Sequence, residues 1–99
     1  MSVQFNEDDK SLTIRFPSRL DTATCMEFED SVLEKARQSS KQVVFDLDQV
    51  DFVSSMFLRL CLRVLKTVGK DRFSIANVCP QVMKVLKIAE FDKHIAIMA

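Results

Sequence analysis

The stretch that decides the fold is VVFDLDQVDFVSSMFL, residues 43–58. It begins with VVFDL, a nearly continuous apolar run that is typical of a β-strand covered on both faces and therefore central in its sheet. It ends with Ser54 and Ser55 directly before a helical pattern, where a serine typically caps the first turn. The stretch therefore predicts a strand, a polar loop and the beginning of a helix.

Patterns on both sides of this stretch predict the other elements. Alternating apolar and polar residues at 3–5 and 12–16 enclose the turn-like NEDDK and predict a β-hairpin. Asp21 is a typical N-cap for a first helix that ends near Ser39 and Ser40. Further along, the patterns predict a helix over 55–68 closed by Gly69, a strand over 72–77, a helix with Pro80 in its first turn, and a short edge strand over 94–98.

The order of these elements predicts the fold class. Strands that alternate with helices require crossover connections, so the order ββαβαβα, with or without a last strand, predicts an α/β domain. The sheet is expected to be mixed and largely parallel, opened by the β-hairpin, with three or so helices packed on it. Because 99 residues suffice for one core but not for two, residues 1–99 are expected to form a single domain.

Composition excludes several classes of function. No apolar run approaches the ~20 residues that a membrane span requires. Lysine plus arginine equals aspartate plus glutamate at 14 each, so no overall positive field favours nucleic acid. The chain contains one glycine, which excludes the glycine-rich phosphate loops of nucleotide-binding proteins. No cofactor, metal or nucleic acid is therefore expected, and partners must be recognised locally.

The cysteines indicate the cellular compartment. Cys25, Cys61 and Cys79 are an odd number and lie in or beside apolar helical patterns, so buried free thiols are expected. The N-terminal MSVQFNEDDK lacks the basic and apolar regions of a secretion signal. Both observations predict a cytoplasmic protein.

The first half of the deciding stretch has an alternative interpretation. Phe45-Asp46-Leu47-Asp48 resembles the signature of haloacid dehalogenase-type phosphatases, in which the first aspartate is the nucleophile and the second the general acid. That chemistry also needs magnesium and further motif residues. Gln49 replaces the family's glycine, and no later acidic pair resembles the metal motif. The lone His94 has no catalytic partner at a suitable spacing. The sequence therefore favours a polar loop at 48–51 over an enzyme site.

Two segments resemble the STAS domain, which is found in bacterial anti-sigma factor antagonists. QVVFDLDQVDFVSSMFLRLCLRVL, residues 42–65, is similar to the family's core motif: an apolar strand, Asp-Leu, an apolar loop, then Asp-Ser-Ser-Gly-Leu opening a helix. RLDTAT, residues 19–24, resembles the Glu-Leu-Asp-x-x-Thr that opens the family's first helix. Element order, length and both motifs agree across nearly the whole chain.

The resemblance places the family's phosphorylatable serine on Ser55. The neighbouring motif residues differ, since Ser54, Met56 and Phe57 stand where the family has aspartate, serine and glycine. At 100° per residue, Ser55 shares one side of its helix with a basic stripe formed by Arg59, Arg63 and Lys66 and bordered by Met56 and Leu62. The predicted partner-binding residues are Asp21, Thr22, Ser54, Ser55, Met56, Phe57, Arg59, Leu62 and Arg63.

The resemblance implies a non-catalytic regulator of transcription. Such a domain would bind an anti-sigma factor that is itself a serine protein kinase, would be released when Ser55 is phosphorylated, and would be restored by a serine phosphatase. A second hypothesis keeps the fold but makes the domain a constitutive scaffold subunit of a lipid transporter or a sensory complex. Met56 and Phe57 would then anchor a permanent interface, without phosphorylation.

Overall fold

The computed structural model describes residues 3–99, so Met1 and Ser2 lie outside it. The strands and helices follow the predicted order, with two additional short strands, β3 and β5. The elements are β1 Gln4–Glu7, β2 Ser11–Arg15, β3 Arg19–Leu20, α1 Thr22–Gln38, β4 Gln42–Asp46, β5 Phe52–Val53, α2 Ser55–Val68, β6 Phe73–Ala76, α3 Pro80–Ile88 and β7 Ala96–Ile97. The chain thus folds as a single α/β domain.

The main sheet, within residues 3–99, has the strand order β1-β2-β4-β6-β7. β1 and β2 pair antiparallel, with Phe5 opposite Ile14, whereas the remaining neighbours pair in parallel. Each of α1, α2 and α3 connects adjacent parallel strands in the same direction along the sheet. Because such crossovers are right-handed, the helices lie on one face. The predicted mixed, largely parallel sheet opened by a β-hairpin is confirmed.

β4 is the middle strand of this sheet, as predicted, but it is covered on one face only. Val43 and Phe45 are fully buried, while Val44 and Asp46 point to the opposite face and are partly exposed. The prediction of cover on both faces was therefore wrong. Val44 made the run look continuous, although its sheet neighbours on the outer face, Thr13 and Ser74, are small and polar.

A cluster of phenylalanine rings forms the centre of the core. The Phe16 ring, just after β2, lies 4.7 Å from the Phe45 ring of β4 and 5.4 Å from the Phe57 ring of α2, with both pairs edge-to-face. Phe28 of α1 and Phe73 of β6 extend the cluster. Aromatic pairs in this geometry contribute about 0.5–1.5 kcal/mol beyond their burial. The cluster therefore fixes the first turn of α2 against the sheet.

The cysteines are free thiols, as expected. Cys25 and Cys61 are fully buried, and burial raises the pKa of the Cys61 thiol well above its ordinary value. Cys79 is only partly buried, and its Sγ donates to the Val50 carbonyl oxygen at 3.5 Å. Within residues 3–99, no helix has the length and apolar character that crossing a membrane requires.

Phe57→Ala is expected to lower the free energy of unfolding by about 3–5 kcal/mol, because it empties a fully buried aromatic site. Phe52→Ala is the matched control, since the Phe52 side chain is 39% exposed, and it should lose far less. Urea denaturation measures both, and the milder Phe57→Leu keeps the comparison within range if Phe57→Ala does not fold. Equal losses at positions 52 and 57 would contradict this account of the core.

Candidate functional site

The starts of α1 and α2 lie side by side at one end of the molecule. β3 and β5 pair in parallel through Arg19–Phe52 and Leu20–Val53, and each strand leads directly into a helix. The Ser54 amide also donates to the Leu20 carbonyl oxygen at 2.9 Å. This small sheet brings the predicted residues Asp21 and Thr22 next to Ser54 and Ser55.

Ser55 is the first residue of α2, and it is exposed. The first intrahelical bonds of α2 run from the Phe57 and Leu58 amides to the Ser54 carbonyl oxygen, at 3.1 and 3.2 Å. The amides of Ser55 and Met56 precede them and are among those a helix leaves unpaired, which gives this end a partial positive charge. The position can therefore carry a negative group without disturbing the core.

Ser54 is the N-cap residue of α2, but its hydroxyl does not form the expected cap. Its Oγ is buried and has no hydrogen-bond partner among residues 3–99. Burial raises the pKa of the neighbouring Cys25 thiol, and the nearby Ser54 hydroxyl opposes this rise. The Cys25 Sγ instead donates to the Leu20 carbonyl oxygen at 3.8 Å.

Asp21, in contrast, caps α1 as predicted. Its Oδ1 accepts from the Thr24 amide at 2.9 Å, and this bond is the main reason that the pKa of Asp21 lies below its ordinary value. Arg19 lies 3.7 Å from the same carboxylate and lowers the pKa further. Thr22, the first residue of α1, is exposed beside it. One helix start is thus capped by a carboxylate and the other is not.

The basic stripe of α2 is paired with a residue that the sequence did not reveal. Glu29 of α1 is largely buried, and its Oε2 lies 3.1 Å from Arg63 Nη1 and 4.0 Å from Arg59 Nε. Met56 is partly buried, and its Sδ accepts from Arg59 Nη1 at 3.9 Å. Leu62 is 44% exposed. This pairing could not be predicted from the sequence, because the sequence does not specify which helix packs beside α1.

The structure corrects the prediction for Phe57. Its side chain is fully buried in the aromatic cluster, so it cannot touch a partner or anchor an interface directly. Phe57 lies two residues after Ser55, and about 200° of helical rotation puts the two side chains on opposite sides of α2. Its role is to hold the first turn of α2 in place.

Arg19 and Phe52 form an exposed pair beside this site that the sequence did not predict. The Arg19 guanidinium stacks 4.2 Å from the centre of the Phe52 ring. These side chains meet only because β3 and β5 are neighbours. Strands of two residues are too short to show an alternating pattern, so the sequence carried no signal for this pairing.

The aspartates of the phosphatase hypothesis take part in a polar network at the end of β4. Asp46 Oδ1 accepts from Asn77 Nδ2 at 2.9 Å and from the Asp48 amide at 3.0 Å. Arg15 lies 3.6 Å from the Asp46 carboxylate and 3.3 Å from that of Asp48. Within residues 3–99, no three His, Cys, Asp or Glu side chains converge as metal ligands. This geometry favours a structural role for the loop after β4. His94 is exposed near the C-terminal end of the chain, away from this network in sequence.

A mixed sheet with helices on one face and the starts of α1 and α2 exposed together defines a class of small α/β domain. The sequence matches the STAS domain over residues 2–99, and the chain belongs to that family. It is 28% identical over 88 residues to a STAS-domain containing protein of Pseudomonas aeruginosa. The aligned region covers 87% of this chain and 86% of the relative.

Solved structures share the fold. An anti-sigma factor antagonist domain protein from Planctomyces limnophilus is 22% identical, with a TM-score of 0.86 over 96% of this chain and 86% of that one. The Bacillus cell fate determinant SpoIIAA in its phosphorylated form is 15% identical, with a TM-score of 0.73 over 99% and 92% of the two chains. The structural neighbours therefore include anti-sigma factor antagonists.

The two helix starts should respond differently to loss of their N-cap side chains. Asp21→Ala removes a formed cap and is expected to lower Tm by about 4–8 °C. Ser54→Ala removes a buried hydroxyl that has no partner in the described part of the chain, so Tm should stay within about 2 °C or rise. Thermal unfolding followed by circular dichroism measures both. A large loss for Ser54→Ala would mean that its hydroxyl does cap α2.

The Asp21 cap should also depend on pH. Because the Thr24 amide holds the pKa of Asp21 below its ordinary value of 3.8, its stabilising contribution is complete above that value and is lost as pH falls through the lowered pKa. The Tm difference between wild type and Asp21→Ala should therefore be constant from about pH 7 to pH 5 and shrink below about pH 4. The Ser54→Ala difference should not change in this range. An undiminished Asp21→Ala difference at about pH 3 would rule this out.

Proposed function

We propose that this chain is a bacterial anti-sigma factor antagonist that binds an anti-sigma factor of the serine kinase type. Phosphorylation of Ser55 by that kinase ends binding, and a serine phosphatase restores it. The observation that carries the proposal is the position of Ser55. It is the first residue of α2 and is exposed, while the core beneath it is buried. The domain itself is not an enzyme, and it acts in the cytoplasm with the transcription machinery.

The charges around Ser55 support a phosphorylation switch. Transfer of the γ-phosphoryl group of ATP to the Ser55 hydroxyl oxygen releases ADP and the hydroxyl proton, and it adds about −1.5 to −2 charges at pH 7. The nearby arginines, Arg59 and Arg63, share the single carboxylate of Glu29, so this part of the surface carries an excess positive charge before modification. Phosphorylation reverses that sign and penalises a partner selected for the positive surface.

The partner surface is expected to combine the starts of both helices with the outer side of α2. Asp21, Thr22 and Ser55 lie at the helix starts, and the side of α2 adds charged and apolar groups. Ser54 contributes its backbone position rather than its buried hydroxyl. The apolar members that remain accessible are Leu62 and, in part, Met56. The likeness to SpoIIAA, whose structure exists in a phosphorylated form, also supports the proposal.

Incubation with the kinase encoded beside this gene and with ATP should place one phosphate on Ser55, detected by mass spectrometry of peptides. Ser55→Ala should abolish the modification, whereas Ser54→Ala should not, because the Ser54 hydroxyl is buried. Ser55→Asp is expected to weaken kinase binding at least tenfold in calorimetry. Ser40→Asp adds the same charge in the exposed connection before β4 and should bind normally.

The constitutive scaffold hypothesis predicts the opposite results. No phosphate on Ser55, together with undiminished binding by Ser55→Asp, would defeat the switch. Capture of a transporter ATPase rather than a histidine-kinase-like ATPase, with purified full-length protein as bait, would favour the scaffold. Since Phe57 is buried, the scaffold would have to use Met56 and Leu62 as its apolar contacts.

A further inference from the structure

We propose that Arg59 responds to phosphorylation of Ser55 by leaving Glu29 and pairing with the phosphate. This inference rests on the proposed function, and it identifies the group through which phosphorylation changes the partner surface. It follows from three features of the unmodified structure: a carboxylate shared by two arginines, the long distance of one of these pairs, and the helical spacing between that arginine and Ser55.

Glu29 is the carboxylate shared by two arginines. Its side chain is 13% exposed, and its Oε2 is buried without a hydrogen-bond partner among residues 3–99. Two guanidinium groups approach this one oxygen, Arg63 at 3.1 Å and Arg59 at 4.0 Å. One carboxylate cannot neutralise both cations, and Arg63, at 3.1 Å, is the closer of the two. Departure of Arg59 would therefore not leave a buried charge unpaired, which would be the costly outcome.

Arg59 is the loosely held cation. Its ion pair lies at the outer limit of contact, and its side chain is 59% exposed. Because Arg59 is the exposed member and the distance is long, this pair contributes little to stability, and a stronger partner can displace it. The guanidinium also bends toward the first turn of α2, since its Nη1 lies 3.9 Å from Met56 Sδ. It thus extends toward the turn that carries Ser55.

The spacing favours the new pair. Ser55 and Arg59 are four residues apart on α2, so their side chains are neighbours on one side of the helix. An acidic group that precedes a basic group by four residues is the favourable orientation, and a phosphate offers a charge-assisted partner stronger than a carboxylate at 4.0 Å. Phosphorylation would then withdraw the Arg59 guanidinium from the partner surface in addition to introducing negative charge.

The test uses the full chain with phosphoserine incorporated at position 55 during translation, and it follows the phosphate by ³¹P NMR as pH is varied at low ionic strength. A guanidinium beside the phosphate favours the dianion, so Arg59→Gln is expected to raise the titration midpoint by about 0.2–0.4 pH unit. Lys66→Gln is the matched control. It removes the same charge from the same stripe at about 16 Å along the helix from Ser55, where the effect should be much smaller.

Glu29→Gln gives a second readout with the opposite sign. If Glu29 competes for Arg59, its neutralisation should lower the midpoint, and this effect should largely disappear when Arg59→Gln is also present. Equal midpoints for Arg59→Gln and Lys66→Gln, or an effect of Glu29→Gln that does not depend on Arg59, would overturn the inference. Because phosphoserine is introduced without a kinase, such a result would leave the phosphorylation of Ser55 itself to be judged by the kinase experiment.

Discussion

The contact of the Phe57 ring with Phe16 and Phe45 is the constraint on which the arrangement of the site depends. These rings join α2 to the ends of β2 and β4, so they fix both the position and the rotation of its first turn. Because Ser55 precedes Phe57 by two residues, about 200° around the helix, burial of the ring turns Ser55 outward. The exposure of the serine is therefore a consequence of core packing and does not require a special loop conformation.

The replacement of the family's aspartate by Ser54 makes the start of α2 less negative. Ser54 replaces an aspartate, so the first turn of α2 has no carboxylate cap, whereas α1 keeps one in Asp21. A carboxylate beside Ser55 would repel a phosphate and would offset the partial positive charge of the helix terminus. In its absence the amides of the first turn and Arg59 would both favour a negative group at Ser55. The unusual motif thus remains compatible with a negative group at Ser55.

The sequence was sufficient for features that depend on local patterns, and it failed where contacts join distant segments. Periodicity and the glycine at position 69 predicted α2 correctly, and the apolar run predicted the central position of β4. The same run suggested cover on both faces, because a valine suits the exposed face of a strand as well as the buried one. The position of Ser55 at the start of α2 was also predicted. Glu29 could not be assigned to the site, since its partners come from another helix.

One phosphate on Ser55 would be sufficient to alter a partner surface, because its field acts only on nearby charges. The chain has no net charge, and at physiological ionic strength fields decay over about 8 Å. Arg59 is one turn from Ser55 and falls within this distance, whereas Lys66 is about three turns away and does not. A phosphate on Ser55 therefore acts on the first two turns of α2 and on the start of α1. A partner that contacts only these turns would sense the modification in full, while the fold beneath them stays unchanged.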